Sequence, residues 1–276
     1  MKMRLWTVVL ATSVALISVF APRCSAAPDQ TLEKNQLAIV EQKTSQLVKA
    51  VENLQEDIVE ELSGVKEKQL YHTVDLVLHE LTKMEKMLGK GAVTREDLYK
   101  QFDSVDSQVA ILRKVLPELA PKQPVLLRGA ERIRFLTVDL HFVVSQGDTS
   151  PERFRQVLVR QATALGDVTN KLSATAQYAL GVDPGRGELL VAMQKLAEAS
   201  RNFEKVAGTT ADLEKCRKEF SALNEAWQQV VRGVSLLPPK ENGYLLRGAN
   251  QADAIHERLF RLLQIKGDRS ALTIRT

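Results

Sequence analysis

Cysteine is scarce in this chain. The two residues are Cys24 and Cys216. Cys24 lies in a segment expected to be removed, so the mature chain keeps a lone thiol and cannot be held by an intrachain disulfide. Aromatic residues make up only 5% of the chain, and there are four histidines. No CxxCH sequence is present for haem attachment, and no Glu-x-x-His pair of the di-iron type. His79-Glu80 is followed by Leu81-Thr82-Lys83, which breaks the zinc-protease pattern. No Gly-rich phosphate loop follows a strand. Long alternation of apolar and polar residues is also missing, which argues against a sheet. No nucleophile–base constellation is legible, so the chain is expected to be non-catalytic and to need no cofactor or metal.

The N-terminus has a clear organisation. Met1-Lys2-Met3-Arg4 is basic, Leu5 to Phe20 is an apolar run of 16 residues, and Ser25-Ala26-Ala27 supplies small side chains. That is the plan of a secretory signal peptide cleaved after Ala26. The run is shorter than the roughly 20 residues that span a bilayer, so no stable membrane span is expected after cleavage. Arg23 occupies the place where a lipoprotein signal has a small residue, which argues against lipidation at Cys24. Lys2, Arg4 and Arg23 leave with the signal, so 38 basic residues become 35, against 34 acidic ones. A balance so near neutral gives no reason to expect nucleic-acid binding. No Asn-x-Ser/Thr sequon occurs, which agrees with a bacterial protein in the periplasm or outside the cell.

What is present is helical periodicity. Apolar residues recur three and four apart, as in Leu37, Val40, Leu47, Val51, Leu54 and Ile58, with Thr44 in register. Seven more stripes follow, separated by Ser63-Gly64, Gly89 to Gly91, Pro117 to Pro124, Gly147-Asp148, Gly181 to Gly187, Thr209 to Asp212 and Pro238-Pro239. The proline at 117 is read as part of a break, because proline removes a helix hydrogen bond. Gly267-Asp268 is read as the end of the eighth helix. Gly185-Arg186-Gly187 reads as a solvated loop.

The stripes repeat. Leu126-Leu127-Arg128-Gly129-Ala130 recurs as Leu245-Leu246-Arg247-Gly248-Ala249, 119 residues later, each after a break containing Pro-Lys. Within one residue of the same offset, Leu47, Leu54 and Leu62 fall on Leu165, Leu172 and Leu180. Phe102, Val105, Val109 and Leu112 fall on Phe220, Leu223, Trp227 and Val230. The expected fold is all-α: a signal peptide over 1–26, then two tandem homologous antiparallel four-helix units over 27–148 and 149–276, with coiled-coil-like packing.

Function is less legible. A site older than the duplication leaves matching residues in both copies. His72, Asp75 and His79 share a helix face but have no counterparts, and a bland surface role is expected for them. Cys216 falls on an apolar stripe and is expected to be buried. Arg128 and Arg247 do match. Their structural reading is that each caps carbonyls or pairs with an acid, while Leu-Leu anchors the helix and Gly-Ala admits a neighbour. Their functional reading is a shared contact for an anion or an acidic partner. The leading expectation is an exported partner-binding or scaffold module with a protein partner. The alternatives are a small-ligand sensor or carrier, with a polar pocket near His72, His79 or His141, and an enzyme with an unrecognised site.

Overall fold

The computed structural model describes residues 32, 34–146, 150–180, 186–210 and 212–265, with only the backbone of 239–244. The expected signal segment, the Gly147-Asp148 break and Gly267-Asp268 lie outside these residues. Among the described residues the chain is all-helical, with eight helices and no strand. They are α1 (Lys34–Glu61), α2 (Gly64–Leu88), α3 (Arg95–Leu119), α4 (Pro124–Val144), α5 (Pro151–Leu180), α6 (Gly187–Thr209), α7 (Leu213–Ser235) and α8 (Pro239–Leu262).

The punctuation residues act as their chemistry requires. Gly64 and Gly91 take φ of +74° and +72°, a region open mainly to glycine. The Thr94 hydroxyl accepts a hydrogen bond from the Asp97 amide at 3.1 Å and so caps α3. The Asp212 carboxylate accepts from the Glu214 amide at 2.9 Å and caps α7. Pro124 and Pro239 open α4 and α8, where a missing N–H costs nothing.

Two boundaries differ from the sequence reading. Pro117 lies inside α3, which continues to Leu119. Only the last turn follows it, and the buried Leu116 and Ala120 hold that turn against the core. The amide of Ala120 still reaches the Leu116 carbonyl at 2.8 Å. At the other end, α8 stops at Leu262, well before Gly267. Gln264 takes the left-handed conformation with φ of +52°, and the Ile265 amide returns to the Phe260 carbonyl. Those are the marks of a helix-ending motif that usually uses glycine.

The apolar stripes close on two cores. Helices α1 to α4 enclose one, centred on residues such as Leu47, Leu54, Leu81, Phe102 and Leu112. Helices α5 to α8 enclose the other, around Leu172, Phe203, Phe220 and Trp227. In each group the helices pack in a ring, first on second, second on third, third on fourth and fourth on first. Gln36 at the start of α1 donates to the Gln146 carbonyl just past α4, and Gln123 just before α4 donates to Glu61 at the end of α1. Those two helices are therefore antiparallel. Burying one leucine fully contributes about 1.5–3 kcal/mol, so these cores, without cross-links, can hold the fold.

Helices α4 and α5 join the two groups. Gln161 of α5 donates to the Val138 carbonyl of α4 at 3.1 Å, inside the seam. Val138 belongs to the second core and Val157 of α5 to the first, so apolar contact is continuous across the seam.

Candidate functional site

The two Leu-Leu-Arg-Gly-Ala segments lie toward the N-terminal ends of α4 and α8, starting two residues after Pro124 and six after Pro239. Leu126 and Leu245 are fully buried and Ala130 and Ala249 are buried too, while Arg128 and Arg247 are exposed. The glycines lie between, against a neighbouring helix. A Cβ placed on Gly129 would meet Leu54 Cδ1 at 2.9 Å, and one on Gly248 would meet Leu172 Cδ1 at 3.2 Å. Each glycine thus admits one leucine, on α1 in one group and on α5 in the other.

The seam is fixed by ion pairs. Asp139 of α4 pairs with Arg258 of α8 and accepts from Lys43 Nζ of α1 at 3.0 Å. Burial pushes the Arg258 guanidinium down to about 10, and burial, with Arg258 close by, lowers the Lys43 ammonium. Arg134 of α4 is only 5% exposed, pairs with Asp167 of α5, and lies 3.5 Å from Glu131. Lys171 of α5 reaches the same Glu131 at 2.9 Å. Buried charges need such partners, since an isolated one is costly.

Above these pairs lies the largest of the described cavities, an open groove of about 900 Å³ lined by α1, α4, α5 and α8. Arg128 and Arg247 both line it. Neither guanidinium has a hydrogen bond or ion pair with a described residue. The capping role expected for them is therefore not what the structure places there. Each points instead to the space where the two groups meet. Arg132 also lines the groove without a partner, and the α1 wall adds Glu56 and Asp57, equally unpaired. Leu127 and Phe135 supply half-buried apolar surface. The described lining holds no serine, cysteine or histidine.

Two further cavities flank the seam. One, of about 570 Å³, is lined by Arg113, Arg134, Arg160 and Asp106 among others, and Arg160 pairs with Asp106 at 2.6 Å. Burial, followed by the nearby Arg134, lowers the Arg113 guanidinium. The other, of about 560 Å³, lies between α4 and α8 beside Asp139 and Arg258.

The histidines separate into two kinds. His72 and His79 are exposed on α2, with Asp75 exposed between them. Among the described residues no group of three or more His, Cys, Asp or Glu side chains can hold a metal ion. His141 and His256 are buried, which the sequence reading missed. His141 stacks on Phe102 at 4.9 Å and His256 on Phe220 at 5.0 Å. Burial, with Arg160 nearby, lowers the His141 imidazole to about 3. Cys216 is buried, and burial followed by Asp212 raises its thiol.

Sequence reasoning also missed Asp139 and Arg258. A signal existed: the two positions are 119 residues apart and carry opposite charges. Residues 181–185 of the Gly-Arg-Gly loop lie outside the described residues, and Arg186 precedes α6.

The fold and groove define an all-α protein in which no described helix is long and apolar enough to cross a membrane. No family model, curated protein or solved structure matches the chain.

Proposed function

We propose that this chain is an exported, non-catalytic binding module, built from two tandem copies of a four-helix unit, whose protein partner docks in the groove at the seam. The 1–26 segment supports export to the periplasm or the cell exterior. Duplication is supported by the 119-residue offset and by the equal burial along the two Leu-Leu-Arg-Gly-Ala segments. The leucines against Gly129 and Gly248 also correspond in sequence, and Phe102 and Phe220, which correspond too, each stack on a buried histidine.

One observation carries the docking reading. Arg128 and Arg247, the exposed members of the two Leu-Leu-Arg-Gly-Ala segments, line one groove and have no described partner. Unpaired guanidinium groups lining a groove are groups that partner recognition uses.

The test is a photo-crosslinking amino acid at Gln251, in the groove, with Lys195, exposed on α6, as the control position. The expected result is an adduct in the native envelope fraction from position 251 alone, lost in R128A/R247A. Equal adducts from both positions, or none from either, would remove the reading.

A second reading, a small-ligand carrier, draws on the groove volume of about 900 Å³, within the range of ligand pockets. Native mass spectrometry of the purified chain separates the two readings: a carrier retains a small molecule, and a docking module does not.

A further inference from the structure

We infer that the groove recognises a short acidic peptide segment of mixed charge, whose carboxylates meet Arg128 and Arg247; this rests on the docking reading above. The lining charges divide by wall. Glu131, Arg134 and Lys171 satisfy one another or Asp167 across the α4–α5 seam. What remains is positive on α4 and α8, at Arg128, Arg132 and Arg247, and negative on α1, at Glu56 and Asp57. A guanidinium presents a planar fork of donors that matches a carboxylate with two parallel hydrogen bonds. Three unpaired forks, two on α4 and one on α8, therefore select acids.

The α1 wall decides what kind of acid. Glu56 and Asp57 repel an anion that fills the whole width of the groove, so a polyphosphate or nucleic-acid strand fits poorly. A peptide can place acids toward α4 and α8 and a basic or neutral side chain toward α1 within a few residues. It can also lay an apolar side chain on Leu127 and Phe135. Lining on α4 runs from Val125 to Phe135, about 15 Å at the helical rise. That length accommodates two to three helical turns of a partner, or a short extended stretch.

A random peptide library displayed on phage, selected on the exported chain and counter-selected on R128A/R247A, tests this. Both arginines are exposed and unpaired, so the double variant should keep its melting temperature, which is measured first. Selected peptides should carry acids at about twice the library frequency or more. A synthetic winner should lose at least about tenfold in affinity on R128A/R247A, and gain on E56Q/D57N if its acids are its only charges. It should bind more tightly than inorganic tripolyphosphate. Winners that crosslink to position 251 without acid enrichment, or that bind R128A/R247A unchanged, would overturn the acidic specificity and leave the docking reading standing. Tripolyphosphate binding more tightly than any peptide would overturn it too. An absence of winners would overturn it, and the crosslinking result at position 251 then decides the docking reading separately.

Discussion

Asp139 of α4 and Arg258 of α8 lie 119 residues apart, the offset between the two Leu-Leu-Arg-Gly-Ala segments, and pair with each other across the seam. Under the proposed duplication this is a contact between a position and its own counterpart, which a local two-fold arrangement produces. Such a contact cannot use one residue type at both places if that residue is charged. Opposite charges resolve the conflict, and Lys43 adds a second cation on the same carboxylate.

Asp139→Asn should be strongly destabilising. It leaves Arg258 and Lys43, both half-buried, close together without a counter-charge. The expected loss is about 2–4 kcal/mol, read as a shift in urea midpoint with an unchanged slope. D139L/R258M should recover part of it, because it removes the Arg258 charge and fills the space, while Lys43, whose side chain is 28% exposed, can turn to water. A double variant as unstable as the single one would show that the pair itself is not the cause.

The glycines of the repeated segment should respond unequally to alanine. At Gly129 a methyl group meets the fully buried Leu54 at 2.9 Å, so the core must shift. At Gly248 the approach to Leu172 is 3.2 Å, and the gain in helix propensity of about 1 kcal/mol offsets it. G129A should therefore lose about 1 kcal/mol, and G248A should be neutral or slightly stabilising. Gly233, where Leu189 stands at 2.6 Å, should tolerate alanine least. Thermal melts of the three variants rank them directly.

Acid should weaken the fold through His141. Its folded value is about 3 against an ordinary value of 6.5. Between these values the unfolded chain binds a proton that the folded chain refuses. Stability is therefore full above pH 6.5 and falls as the pH is lowered toward 3, by at most about 1.4 kcal/mol per pH unit from this group. H141L should remove that part of the slope, measured as the difference in urea midpoints between pH 7 and pH 4.5. Parallel slopes in both proteins would refute the assignment.

Cys216 should be inert in the folded protein. The thiol is buried, and burial raises its pKa, so little thiolate is exposed to react. Iodoacetamide should modify it only as fast as the chain opens, with the rate rising through the urea transition. Rapid labelling in native buffer would contradict the packing of α7.

Much of the architecture was legible in the residues themselves. Helix number and the core stripes follow from local rules, because apolar period, glycine and proline act within a few residues. Leu54, Phe102 and Trp227 declared their burial through spacing alone. Pro117 was misread for a local reason that tertiary packing overrode: one lost hydrogen bond in a last turn costs less than lifting Leu116 and Ala120 from the core. The α8 ending was misread because Gln264 adopts a conformation that sequence assigns to glycine.

Read alone, the residues establish that the chain is helical and that Arg128 and Arg247 repeat. Packing alone brings these two arginines to one groove, sets Asp139 against Arg258, and buries His141 and His256. Periodicity specifies which face of a helix is apolar, but not which polar face meets which across a seam. That choice depends on charges distant in the chain, such as Arg134 with Asp167 and Asp139 with Arg258, and it is made only when the two cores come together.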